Sequence, residues 1–207
     1  MSDVQGRPSG TMSTERRYGI AISVALILGG VYWALTGLTE GSKSSQGSYR
    51  VEGDSLLIKN SSAEIEVRSG DGPELKVDRQ FERNVFGSDP EEKYDANDHR
   101  LELDSGGCGF LSFNCKTSYV LTVPRDVELT VESSSGDVTL SGLTAGVNVK
   151  TSSGDVSIGV PAGDEAYKVD TKTSSGDESS DVKSDPAATR EITARTSSGD
   201  VSIEYTH

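Results

Sequence analysis

Apolar residues fall at fixed distances around four glycines, Gly136, Gly154, Gly176 and Gly199. The seventh residue before each is Leu129, Val147, Val169 or Ile192, and the fifth before is Val131, Val149, Thr171 or Ala194. The second after is Val138, Val156, Glu178 or Val201, and the fourth after is Leu140, Ile158, Ser180 or Ile203. The positions between are mostly Thr, Ser, Glu, Lys, Asp and Arg. Alternation with a period of two marks a half-buried strand. Each copy therefore predicts a short strand, a turn and a second short strand with one buried face.

The turn is spelled Ser-Ser-Gly-Asp, and TSSGDVSI occurs identically at 151–158 and 196–203. Glycine at the third turn position accepts a positive φ without a Cβ clash, and serine and aspartate side chains hydrogen-bond nearby amides. On this reading the glycine is steric and the aspartate is a local cap. One strand pair cannot bury its apolar face alone. The glycines are spaced 18, 22 and 23 residues apart, a repeat length that suggests stacked coils. Stacking would align Val138, Val156 and Val201, and Leu140, Ile158 and Ile203, into a continuous core. The expected fold is all-β, a solenoid-like stack of short strands with SSGD turns. The alternative is an antiparallel sandwich in which each SSGD closes a hairpin.

Three segments depart from the pattern. The copy TSSGDESS puts Glu178 and Ser180 where its sisters carry aliphatic residues, so its second strand is expected to bulge or to shift register toward Val182. An SGD at 69–71, with Ile65 and Val67 before it and Leu75 and Val77 after it, reads as a degenerate first rung. Residues 83–100 are polar and turn-rich, which predicts a surface excursion. At the other end only four residues follow Ile203. The last repeat is thus expected to leave an uncapped edge, open to self-association or to a partner strand.

The N-terminal part follows a different pattern. Residues 18–39 carry no charge, and as a helix they would span about 33 Å, enough to cross a bilayer. Arg16 and Arg17 precede this run and Glu40 follows it, which places residues 1–17 in the cytoplasm and the C-terminal part outside. The predicted organisation is a disordered cytoplasmic tail (1–17), a single transmembrane helix (18–39), a flexible Gly/Ser-rich linker (40–48) and an exported repeat domain (49–207). Localisation follows: the cell membrane, single-pass, with the C-terminal domain extracytoplasmic.

Residues 40–207 hold 31 acidic against 17 basic residues, a net charge of −14. That excludes nucleic acid and anionic headgroups as partners for this part. The only cysteines, Cys108 and Cys115, lie on the exported side, where disulfides persist, and are expected to pair.

Catalysis by carboxylates needs one pair of acids in contrasting environments. Asp137, Asp155, Asp177 and Asp200 instead occupy equivalent turn positions. The sequence holds no GxSxG, HExxH, CxxC or phosphate loop. The chain is read as no enzyme, with no cofactor. Stacked at about 4.8 Å, the four aspartates would repel unless they faced water or shared a cation. The column is a calcium candidate, with solvated turn caps as the plainer reading.

The stretch 116–158, KTSYVLTVPRDVELTVESSSGDVTLSGLTAGVNVKTSSGDVSI, preceded by a C-x6-C insert, resembles a bacterial family of unknown function whose members carry the label "putative adhesin". The resemblance covers most of residues 50–207. It implies a solenoid-like all-β ectodomain, commonly membrane-tethered, and carries over no catalytic residue. The expected function is surface contact or adhesion toward a protein or cell-envelope ligand. The alternatives are envelope-stress sensing, for which a 17-residue tail offers only a docking peptide, and a calcium-binding or carbohydrate-active β-helix.

Overall fold

The computed structural model describes residues 41–83, 87–108 and 116–206. The predicted transmembrane helix and cytoplasmic tail lie outside the described residues. So does Cys115, and with it the predicted Cys108–Cys115 pairing.

In chain order the first strands are β1 (Gly41–Arg50), β2 (Ser55–Asn60), β3 (Glu64–Gly70), β4 (Glu74–Arg83), β5 (Gly87–Ser88) and β6 (Glu92–Asp95). Next come β7 (Arg100–Leu103), β8 (Gly107–Cys108), β9 (Lys116–Pro124), β10 (Glu128–Ser133), β11 (Val138–Ser141) and β12 (Val147–Thr151). The last are β13 (Val156–Pro161), β14 (Lys168–Thr173), β15 (Glu178–Ser180), β16 (Glu191–Thr196) and β17 (Val201–Thr206).

Each Ser-Ser-Gly-Asp turn sends its two strands into different sheets, and successive turns stack. One sheet has the order β1-β4-β9-β3-β11-β13-β17-β15 and the other β14-β16-β12-β10-β2-β7-β6. Neighbouring repeat strands are parallel and in register, with Val138 opposite Val156 and Leu140 opposite Ile158, then Val156 opposite Val201 and Ile158 opposite Ile203. Those are the columns the alternation predicts, and all six side chains are buried. Each aliphatic side chain so buried stabilises by roughly 1.5–3 kcal/mol. Hairpin pairing of the repeats, as an antiparallel sandwich requires, does not occur. The described antiparallel pairs are β1–β4, β4–β9, β6–β7 and the short β5–β8.

The sequence order of rungs is not their order in space. The last repeat, β16 and β17, lies between β12 and β14 in one sheet and between β13 and β15 in the other. The expected C-terminal edge is therefore interior, and the outermost rung is the third copy, β14 and β15. The reason is visible in its sequence. Glu178 and Ser180 stand opposite Val201 and Ile203, and polar residues at inward positions are tolerated only where no further rung must bury them. This copy keeps register instead of shifting, although Val182 is buried beyond it.

Three further expectations are corrected. The segment read as a flexible linker forms most of β1, a ten-residue edge strand paired with β4 from Gly41↔Arg83 to Arg50↔Glu74. The first rung turns at Ser61-Ser62-Ala63-Glu64, not at the SGD of 69–71. Its inward residues are Leu56, Ile58, Ile65 and Val67, which face Leu129, Val131, Val138 and Leu140. Within the polar stretch 83–100, β6 pairs with β7 and Tyr94 packs against the core.

Candidate functional site

The ridge of stacked turns holds the residues that the sequence marks most strongly, and each has a defined contact. Gly136, Gly154, Gly176 and Gly199 have φ of 97°, 124°, 147° and 132°. Stacking confines them further. A Cβ at Gly154 would lie 2.4 Å from the carbonyl oxygen of Gly136, and one at Gly199 would lie 2.3 Å from that of Gly154. Ala63 occupies the same turn position in the first rung. On its outer side stands the β7–β9 rung, whose connection runs through a long insert and not through a four-residue turn.

Outside the glycines runs a ladder of aspartates. The Asp137 carboxylate accepts the N–H of Asp155 at 3.0 Å, Asp155 accepts that of Asp200 at 2.8 Å, and Asp200 accepts that of Asp177 at 2.8 Å. The aspartate thus caps the neighbouring rung and not its own turn. Three of the four calcium candidates already bind an amide. Among the described residues no group of three or more His, Cys, Asp or Glu side chains gathers as a metal site.

Inside the glycines runs a second ladder, of buried polar side chains, which the sequence reading missed. Its members are Asn60, Ser133, Thr151 and Thr196, each three residues before the turn glycine or Ala63. Ser133, Thr151 and Thr196 donate their hydroxyls to the carbonyls of Ser135, Ser153 and Ser198 at 2.9, 3.2 and 3.1 Å. The Asn60 carboxamide donates to the Ala63 carbonyl and the Ser133 hydroxyl at 2.7 and 2.8 Å and accepts from the Ala63 N–H. A buried carbonyl needs a partner, so the residue that opens the motif is Ser, Thr or Asn. The signal lay in the sequence as the recurring Thr or Ser before SSGD.

At the outermost rung, Glu178 folds back over β14. Its carboxylate accepts the Thr173 N–H at 2.9 Å and the Thr171 hydroxyl at 2.8 Å, and these bonds hold it below the usual carboxylate range. The opposite end is closed by β1, β4 and β6. There the Tyr49 and Tyr94 rings lie 5.2 Å apart, and Arg79 pairs with Glu92 at 2.7 Å. Tyr119 is buried beneath them and donates its hydroxyl to the Asp104 carbonyl at 2.8 Å.

The described grooves are open. One on the repeat strands, about 350 Å³, lies on the outer face at Gly146, between Glu128 and Glu191, with Thr130, Asn148 and Thr193 along it. Glu191 is already paired with Lys168 at 3.2 Å.

Solved structures that match the chain include three from bacteria. A "putative cell adhesion protein" from Clostridium sporogenes shares 14% identity with a TM-score of 0.49, over 80% of this chain and 100% of that one. "Putative adhesins" from Parabacteroides merdae and Bacteroides fragilis share 7% and 12% identity, with TM-scores of 0.27 and 0.26, over 80% and 79% of this chain and 97% of each of theirs. No curated protein matches the chain. The Toastrack DUF4097 family matches residues 53–159 and 140–204, which together span the stacked repeats, and the chain belongs to that family.

Proposed function

We propose that the chain is a membrane-anchored, extracytoplasmic module that acts by binding, presenting a rigid stack of sheets to a protein or cell-envelope ligand. The observation that carries this reading is the occupation of the repeated side chains. Asp155 and Asp200 each cap the next rung, Thr151 and Thr196 satisfy turn carbonyls, and the glycines make room for neighbouring backbone. The repeated motif is thus scaffold, and what it displays is sheet surface. The uncharged run at 18–39 supplies the anchor.

The test uses the full chain in cells, tagged at the N-terminus. External protease should remove the repeat domain and leave the tag protected. Cells displaying the chain should adhere to surfaces coated with envelope fractions, and lose adhesion after that treatment. A domain inaccessible from outside would refute the placement, and adhesion unchanged by protease would refute the binding role.

A further inference from the structure

Half of the surface needed to extend the stack past β14 and β15 is present. Along the ridge each aspartate carboxylate takes the amide of the next rung toward this end, and Asp177 is the last. Among the described residues no amide reaches the Asp177 carboxylate. The turn of Gly176 repeats the conformation that its sisters use to stack. What would fit here is a further strand, and the source of one is a second copy of this chain.

The strands of the same rung oppose that addition. β14 and β15 are the terminal strands of their sheets. The N–H of Lys168 bonds inward to Arg190, so by alternation the N–H of Thr173 points off the end of the sheet. Glu178 occupies that N–H. Its carboxylate also stands where an added rung would bury an aliphatic side chain, opposite the Val201 column. Ser180 does the same opposite Ile203. The chain path adds a second, independent indication. Ending the stack on the last repeat would have left Val201 and Ile203 on an open edge, and instead that repeat is threaded beneath the polar one.

We propose that Glu178, with Ser180, is a built-in stop that keeps this edge from pairing with an edge strand of a second copy. An exposed edge with unblocked amides and an apolar inward face is a template for strand pairing, and inward-pointing charge is one way to prevent it.

The experiment compares the full chain in detergent micelles with E178V/S180I, which restores the Val and Ile of the sister copies, and with E178Q, which keeps the shape and removes the charge. Sedimentation should give the wild-type mass for wild type and at least a doubled protein mass for E178V/S180I, with E178Q intermediate. Amide exchange should show the inward amides of Lys168, Asp170 and Lys172 protected in all three. If E178V/S180I loses that protection, E178Q decides. Wild-type sedimentation of every variant that keeps those inward amides protected overturns the proposal.

Discussion

The carboxylate of Asp155 accepts the backbone N–H of Asp200 at 2.8 Å, although the two residues are 45 apart in the chain. Beside it, the space that a Cβ of Gly154 would need is filled by the Gly136 carbonyl. Of these adjacent residues, one is held by a hydrogen bond at the surface and the other by backbone packing. Their substitutions should therefore differ in cost. Gly154→Ala forces two rungs apart at a positive φ and should destabilise the domain by about 3 kcal/mol. Asp155→Asn keeps an oxygen acceptor and should cost less than about 1 kcal/mol. Thermal unfolding of the two variants checks the ranking, and equal shifts would contradict it.

The inner polar ladder yields a larger effect at a residue with no catalytic look. Asn60→Leu removes the donors to Ala63 and Ser133 and the acceptor for the Ala63 N–H, leaving polar groups buried without partners. We expect a loss of about 3 kcal/mol in denaturant unfolding. Asn60→Ser, which matches the side chain at Ser133, should recover part of it. No recovery would mean that shape, and not hydrogen bonding, decides this position.

Alkaline pH tests the closed end. Burial pushes the Tyr119 phenol up to about 12 from an ordinary value of 10.0, partly offset by the positive charge of Arg79. A raised phenol pKa favours the neutral form in the folded state, so its contribution is fully present below pH 10 and is lost as pH rises toward 12. Tyr119→Phe should flatten the fall in stability across that window while lowering stability at neutral pH through loss of the bond to Asp104. An unchanged alkaline slope in the variant would assign the titration to other groups.

The repeats were legible because a buried strand writes its pairing into alternating residues, and Val138, Val156 and Val201 stand where that alternation puts them. β1 was not. Its GSKSSQGSYR has no apolar alternation, because it lies at a sheet edge and takes its register from β4. The first rung was hidden by Ala63, since a search keyed on glycine passes over the one turn whose outer neighbour lets a Cβ stand. The order of the last two rungs could be inferred only from Glu178 and Ser180. Periodicity describes what each rung buries and says nothing about which rung is beside it. Polar residues at inward positions imply an end, wherever in the chain they fall.

That order leads to the last prediction. β13 and β17 share the sequence VSI within identical octapeptides, so the surface that β15 meets on β17 is the one that β13 would offer if β17 were absent. On the other sheet β14 would exchange β16 for β12, where Lys150 stands in the register position of Arg195. The Arg195–Asp170 pair would be replaced by one from Lys150, while Lys168–Glu191 would be lost. Both are exposed ion pairs, each worth on the order of 0.2–1 kcal/mol. Removing residues 191–207 should therefore leave a stack one rung shorter, with β14 and β15 docked directly on β12 and β13 and the aspartate ladder running from Asp155 to Asp177. Stability should fall, because two aliphatic rows are lost, yet unfolding should stay cooperative and the inward amides of Lys168, Asp170 and Lys172 should remain protected. Exchange of those amides at the rate of unfolded chain, with residues 147–161 still protected, would show that the third copy depends on contacts that only the last repeat supplies.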